Sequence, residues 1–252
     1  MLEQISLFFI SLIANTFSSL AGGGAGLIQL PALLLLGLPF SIALATHKIA
    51  SVALGLGAVT RYLKEDLIQR KLALLMLVSG LPGVVLGGFI IINIPDHIAS
   101  FALGILTMML GIYSILSPNL GTVYQAKNMQ TQGLLLGGMG LFFIGILNGS
   151  LTSGTGLFVT LFLIRWFGLD YKHAVAYTLI LVGVFWNGAG AVTVGLLSDI
   201  KWDWLFVLLL GSFIGGYIGS HLAILKGNRL IKRSYEIITI TISLQLLWKA
   251  ST

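Results

Sequence analysis

Long apolar runs separated by short polar loops extend through the whole chain. We divide them into five predicted segments per half. In the first half these are approximately Ile5–Leu20, Leu27–Leu38, Ala43–Thr60, Leu72–Ile92 and Ile98–Leu116. In the second half they are approximately Gly133–Leu147, Leu157–Phe167, Ala174–Leu197, Trp204–Leu225 and Ile231–Trp248. Continuous apolar runs of this kind are typical of helices inside a bilayer, so the pattern predicts an all-α polytopic membrane protein.

The second segment of each half is too short to cross a membrane. Crossing about 30 Å of hydrocarbon takes roughly 20 helical residues, and Leu27–Leu38 and Leu157–Phe167 are far shorter. We predict that each forms a helical hairpin with the segment before it, with a glycine turn inside the membrane. Because each half has an odd number of segments, the halves should be inverted repeats whose glycine turns meet near the midplane.

The glycine turns belong to an internal repeat. At a shift of 130 residues Gly24 aligns with Gly154, and Gly26 with Gly156. After one inserted residue the shift is 131, and the aligned pairs include Gly37 with Gly168, Gly80 with Gly211 and Gly88 with Gly219. Two hydrophobic halves, each interrupted by glycine, are the pattern of a secondary transporter. The predicted organisation is a first membrane repeat over 1–116, a connector over 117–132 and a second membrane repeat over 133–252.

Composition narrows the protein class further. Hydrophobic residues form 57% of the chain, charged residues 9%, and mean hydropathy is +1.00. The unbroken apolar runs exclude a β-barrel, whose strands alternate apolar and polar residues. Cysteine is absent, which excludes disulfides and thiolate metal sites. The net charge is +6, and the basic residues cluster in short loops between apolar runs, so no nucleic-acid partner is expected.

The basic residues predict an orientation in the cell (inner) membrane. If the loop Arg61–Lys71 is cytoplasmic, eleven Lys and Arg residues lie inside. Only Lys201 and Lys249 then lie outside, with Lys48 left within a segment. This bias follows the positive-inside rule. Both termini should therefore lie on the non-cytoplasmic side, and the connector in the cytoplasm.

Two blocks of the sequence resemble the TauE/SafE sulfite-exporter family, and the resemblance covers nearly the whole chain. The first block comprises Gly22-Gly23-Gly24-Ala25-Gly26-Leu27-Ile28, Gly37-Leu38-Pro39, Ala43-Leu44-Ala45-Thr46 and Lys48. The second, weaker block is the glycine-rich break of the second half with Gly168-Leu169-Asp170. The resemblance implies transport of sulfite, organosulfonates or related small anions, with export rather than uptake. One departure is His47, where the family pattern leads us to expect asparagine.

The glycine breaks also indicate an anion site when they are considered without the family. A helix that begins after a glycine turn presents unsatisfied N–H groups and a positive dipole end. The residues expected to bind substrate are Asn15, Ser19, Gly23, Gly24, Gly26, Thr46, His47, Lys48, Ser51, Asn148, Thr152, Ser153, Gly154 and Thr155. The competing interpretation is close glycine packing, with hydroxyls bonded to their own helix. The duplication of the breaks favours function.

Lys48 and His47 are the candidate ionisable groups. A lysine within an apolar helix usually faces a polar cavity, so Lys48 could supply the cation that binds the anion. Alternatively, its ammonium snorkels to the outer interface. At the matching position of the second half stands Leu179. His47 could exchange a proton near neutral pH and couple transport to a proton gradient, or it could simply hydrogen-bond to a neighbouring helix.

Two functions compete at this stage. A secondary transporter would move a small inorganic or organosulfur anion by alternating access, whereas an anion channel would use the same pore lining without an occluded state. An enzyme is not expected, because no nucleotide-binding loop, metal-site spacing or nucleophile constellation occurs. No cofactor is expected. The expected partners are the anion and the lipid bilayer, with a proton as candidate coupling ion and a homodimer as candidate assembly.

Overall fold

The computed structural model describes residues 2–90, 96–151 and 154–251, and these residues are almost entirely helical. The first half contains α1 (Leu2–Ala21), α2 (Gly26–Leu35), α3 (Phe40–Tyr62), α4 (Arg70–Ile90) and α5 (Asp96–Leu116). The second half contains α6 (Thr131–Leu151), α7 (Thr155–Phe167), α8 (Tyr171–Leu197), α9 (Trp202–Lys226) and α10 (Asn228–Ser251). No strand occurs in these ranges. The predicted all-α class is confirmed.

Six of these helices, α1, α3, α4, α6, α8 and α9, are long and apolar enough to cross a membrane. The short helix α7 and the stretch Thr107–Leu116 of α5 are apolar but below that length. Helix α10 is not among the six, and its first two turns carry Arg229, Lys232 and Arg233. A multi-pass membrane protein is therefore confirmed, whereas membrane crossing by α5 and α10 stays a prediction.

Glycine contacts pair the long helices across the two halves. A Cβ atom added to Gly215 of α9 would clash with the backbone oxygen of Leu12 in α1, and one added to Gly219 would clash with the backbone oxygen of Thr16. In α6, a Cβ atom added to Gly149 would clash with the backbone oxygen of Val84 in α4. Helix α1 thus packs along α9 as α6 packs along α4, and α5 packs along α10. The repeat alignment matches α1 with α6 and α4 with α9, so the two pairs are equivalent.

The two hairpins enter the bundle from opposite ends. In the α1–α2 hairpin, Leu7 and Leu33 pack with Trp204 of α9 in a buried apolar cluster. In the α6–α7 hairpin, the turn after α7 binds the connector, and the Gln125 amide donates to the Gly168 oxygen at 2.8 Å. Helix α3 runs between these ends, because Phe40 packs against the first cluster and Glu65, just after α3, lies 2.8 Å from the Lys172 ammonium at the other end. We call the end that holds residues 117–130 the connector end.

Asp170 anchors the start of α8 at the connector end. Its carboxylate accepts from the backbone amide of His173 at 2.9 Å and lies 2.6 Å from the His173 ring. The side chain of Asn228 also donates to it. Burial raises the pKa of Asp170, but these hydrogen bonds outweigh that effect and hold the pKa below its usual range. The ionised carboxylate therefore caps α8 and ties it to α10.

Candidate functional site

The two glycine breaks are in direct contact. A Cβ atom added to Gly23 would lie 2.7 Å from the Cα and carbonyl carbon of Gly156, and one added to Gly156 would lie 2.9 Å from the Gly23 Cα. The Thr160 hydroxyl donates to the Gly22 oxygen at 2.8 Å. Backbone therefore meets backbone where the hairpins touch, and only residues without side chains allow this approach.

The break in each half also uses backbone angles that favour glycine. Gly22, Gly23 and Gly24 have φ values of 82°, 141° and 101°, and Gly154 has 76°. These left-handed angles reverse the chain direction between α1 and α2 and between α6 and α7. A β-branched side chain at such an angle is strongly disfavoured. Both turns are therefore specified by their glycines.

A small cavity of about 40 Å³ lies beside the contact between the hairpins. Its walls come from both breaks, from α3 and from α8. The lining residues are Ser18, Gly23, Gly24, Ala25, Gly26, His47, Ser51, Leu54, Asn148, Thr155, Gly156, Thr178, Leu179, Val182, Gly183 and Asn187. These side chains include hydroxyls, amides and one imidazole, but no carboxylate. We call this space the central cavity.

Two helices begin at the wall of the central cavity. Helix α2 begins at Gly26 and helix α7 at Thr155, and both residues line it. The amide of Asn148 donates to the Thr155 hydroxyl at 2.8 Å and so holds this corner. A helix N-terminus carries a partial positive charge. Two such ends face one space that has no carboxylate among its described lining residues, which makes it electrostatically favourable for an anion.

The structure brings together seven of the residues that the sequence proposed for substrate binding. These are Gly23, Gly24, Gly26, His47, Ser51, Asn148 and Thr155. Gly154 precedes α7 and shapes the turn without lining the cavity. Thr152 and Ser153 lie outside the described residues.

Three other candidates lie elsewhere. Asn15 and Ser19 face α9, where the Asn15 amide donates to the Ser212 hydroxyl at 3.0 Å and Ser19 Cβ adjoins Gly219. The Thr46 hydroxyl accepts from the Lys201 amide at 3.0 Å. Their side chains serve helix packing and a loop contact, because each points away from the cavity-facing side of its helix.

Lys48 is fully buried at 0% exposure but does not line the central cavity. Its ammonium donates to the backbone oxygen of Asn148 at 2.9 Å. A Cβ atom added to Gly190 of α8 would lie 2.8 Å from Nζ. In the described part of the chain, no salt bridge reaches it. Lys48 is therefore enclosed within the protein, with its amine directly behind a cavity residue, and this position favours the cavity interpretation over snorkelling.

His47 belongs to a buried hydrogen-bonded chain. Its Nδ1 lies 2.7 Å from Gln29 Oε1, and its Nε2 lies 3.2 Å from the Ser51 hydroxyl. Gln29 Nε2 donates to the Ser11 hydroxyl at 3.0 Å. Ser11 lies 2.9 Å from Ser212, so the chain extends from α9 through α1 and α2 to the cavity on α3.

Helix α8 contributes cavity residues that were not among those predicted from the sequence. Thr178, Leu179, Val182 and Gly183 line the cavity from a π-helical stretch, Thr178–Trp186, in the middle of that helix. Such stretches are frequent at functional sites. The repeat carried the signal, because the shift of 131 residues places Thr178 opposite His47 and Val182 opposite Ser51.

Comparison with known proteins shows the family to which this chain is similar. The model described as "Sulfite exporter TauE/SafE" matches residues 7–246. A probable membrane transporter protein, ORF9, from Sinorhizobium sp. is 31% identical over 96% of this chain and 91% of its own length. YfcA of Escherichia coli K12 is 28% identical over 96% of this chain and 88% of its own length. YunE of Bacillus subtilis is 22% identical over 97% of this chain and 97% of its own length. Both are likewise named probable membrane transporter proteins, and none of the three is named as an enzyme. No solved structure matches significantly.

Proposed function

The chain belongs to the TauE/SafE sulfite exporter family and is a membrane transporter, and from this premise we propose that it exports small sulfur oxyanions. The substrate would be sulfite or an organosulfonate. The anion would bind in the central cavity, between the N-termini of α2 and α7, and move by alternating access.

One observation carries the choice of an anion. Two helix N-termini and no carboxylate occur among the described residues of the cavity wall. The buried amine of Lys48 lies behind Asn148, also with no acidic partner in that part of the chain. A buried charge without a counter-ion is unfavourable. An anion in the cavity would lie directly at the two helix N-termini and compensate their partial positive charge. It would also compensate the positive charge of Lys48, which lies just behind the cavity wall. A cation or neutral substrate would leave this charge uncompensated.

The helix arrangement supports alternating access through inverted repeats. The hairpins enter from opposite ends, the glycine breaks meet between them, and the pair α1–α9 corresponds to α6–α4. A substrate site at a repeat interface is typical of transporters in which one repeat rocks against the other. We propose that α3 and α8, which cross at Gly55 and Gly183, are the axis of this movement.

His47 is the proposed coupling residue. Its ring lines the cavity, and a proton is the ion that an imidazole can carry near neutral pH. The non-cytoplasmic position of both termini and assembly into a homodimer stay predictions.

Flux into liposomes containing the purified protein tests this proposal. Sulfite, sulfate, thiosulfate, taurine and sulfoacetate are offered separately, each with and without an imposed pH gradient. We expect saturable sulfite or sulfonate uptake that a proton gradient drives against the anion gradient with a fixed stoichiometry. Flux that follows only the anion's electrochemical gradient would mean a channel. Transport of none of these anions would contradict the proposed substrate class.

A further inference from the structure

We propose that the Ser51 hydroxyl is a proton-controlled hydrogen-bond donor to the anion, and that Gln29 makes this control work by fixing the tautomer of His47. Gln29 is a positioning residue, since it does not line the cavity. The inference rests on the proposed anion transport, because it describes how one site would link a proton to the anion.

The orientation of Gln29 follows from its two partners. The Ser11 hydroxyl donates to the Leu208 backbone oxygen at 2.8 Å, so its hydrogen is engaged and its oxygen can accept. It accepts from Gln29 Nε2 at 3.0 Å, which turns Gln29 Oε1 toward His47 Nδ1 at 2.7 Å. An amide oxygen only accepts hydrogen bonds. His47 therefore carries a hydrogen on Nδ1, whatever its charge.

This tautomer leaves Nε2 as the atom that gains and loses a proton. In neutral His47, the Nε2 lone pair accepts the Ser51 hydroxyl hydrogen across 3.2 Å. When a proton binds Nε2, the new N–H donates to Ser51 Oγ instead. The Ser51 hydrogen is then free to turn into the cavity, which Ser51 lines. One proton gained at Nε2 thus gives the cavity one additional donor, and loss of that proton withdraws it.

The surroundings make His47 the group that would respond to pH in the cavity. Among the described lining residues it is the one titratable side chain, and α2 contains no titratable residue at all. On α3 its neighbour Lys48 points its ammonium at Asn148. The titratable groups of the adjoining α1, α7, α8 and α9 are Glu3, Arg165, Tyr171, Lys172, His173, Tyr177, Asp203, Tyr217, His221 and Lys226, none of which lines the cavity. Hence an anion would be the counter-ion for the imidazolium.

Binding of methanesulfonate to the purified protein at about pH 5 and about pH 8 tests the link, because this sulfonate stays ionised throughout. We expect the parent to bind roughly tenfold more tightly at the lower pH, a usual size for coupling between two sites. Ser51→Ala should reduce this difference to the part that the charge of the imidazolium supplies alone. The matched control is Ser18→Ala, because Ser18 also lines the cavity but is not hydrogen-bonded to Gln29 or His47. This variant should weaken methanesulfonate binding by the same factor at both pH values. If Ser51→Ala keeps the full pH dependence, the proposed switch is wrong.

Nitrogen-15 spectra of the histidine rings test the tautomer without any anion, with His47→Asn identifying the signal. Neutral His47 should carry its hydrogen on Nδ1. Gln29→Leu should allow the Nε2 tautomer, whereas Gln29→Glu, which keeps an accepting oxygen, should restore Nδ1. A hydrogen on Nε2 in the parent would overturn the role of Gln29. If the unsubstituted protein binds no sulfonate but His47 carries its hydrogen on Nδ1, the proposed anion transport is wrong. The positioning of His47 by Gln29 is then still supported.

Discussion

The ammonium of Lys48 lies 2.9 Å from the backbone oxygen of Asn148, so a buried cation of α3 is held by the last turn of α6. The last carbonyls of a helix lack partners within it, and a cation there also opposes the negative end of the helix dipole. Asn148 in turn holds Thr155 at the start of α7. Lys48 of the first half therefore positions the break of the second half.

Lys48→Met should lower sulfite affinity about tenfold or more, because it removes the positive charge behind the cavity. Stability should change little, since an apolar chain of similar length replaces a buried charge. Binding titrations and melting temperatures of the same preparations measure both effects. Unchanged affinity would show that Lys48 has only a structural role.

Gly190→Ala offers a milder test of the same cation. The new methyl group would lie 2.8 Å from Lys48 Nζ, and the flexible ammonium would move while the backbone stays. Gly188→Ala is the matched control on α8, because its methyl group would meet only Val52, at 4.0 Å. We expect weaker anion binding in the first variant alone. Equal affinities in both would contradict the importance of the position of Nζ.

Gly24→Val and Gly154→Val should both abolish transport. Each puts a β-branched residue at a left-handed φ within a break, and should open the contact between the hairpins. Gly88→Ala and Gly219→Ala should mainly lower stability, because they adjoin Thr193 and the Thr16 backbone oxygen in helix packing. The second should be the more destabilised of the two, since a backbone oxygen cannot rotate away. Flux and melting temperature are compared for all four. Activity losses that simply follow stability would mean that the breaks are packing features.

The sequence predicted the number, class and order of the helices well, because membrane helices are defined by apolar length. It also located the two breaks, since a tract of several glycines is a poor helix former and interrupts an apolar helix wherever it occurs. Side-chain direction was harder to predict. Asn15 and Ser18 are three residues apart on one helix, yet Asn15 packs on α9 and only Ser18 reaches the cavity. Lys48 was identified as intramembrane, but its carbonyl partner is 100 residues away in the chain and leaves no local pattern.

Sidedness can be tested with single cysteines, because the native chain has none. Gln125 is exposed in the connector, so a Gln125→Cys variant should react with an impermeant thiol reagent only from the cytoplasmic side. Trp202→Cys, exposed at the opposite end, should react only from outside. Labelling in the reverse sense would contradict the predicted orientation.

Asp170→Ala should destabilise the protein by about 1 kcal/mol, the usual effect of losing an N-cap, with little change in substrate affinity. The carboxylate has a lowered pKa, so it stabilises the folded state fully above its unfolded pKa of about 4 and loses this effect as pH falls below it. The difference in melting temperature between parent and variant should therefore shrink in acid. A difference independent of pH would exclude the ionised cap.

Anomalous diffraction from crystals soaked in selenite, a heavier analogue of sulfite, tests the central claim most directly. We predict one selenium peak in the central cavity, between Gly24 in the turn before α2 and Thr155 at the start of α7, and its loss in the Gly24→Val variant. A peak only at another place, or none in the cavity at saturating selenite, would contradict the claim that the anion binds between the two glycine breaks.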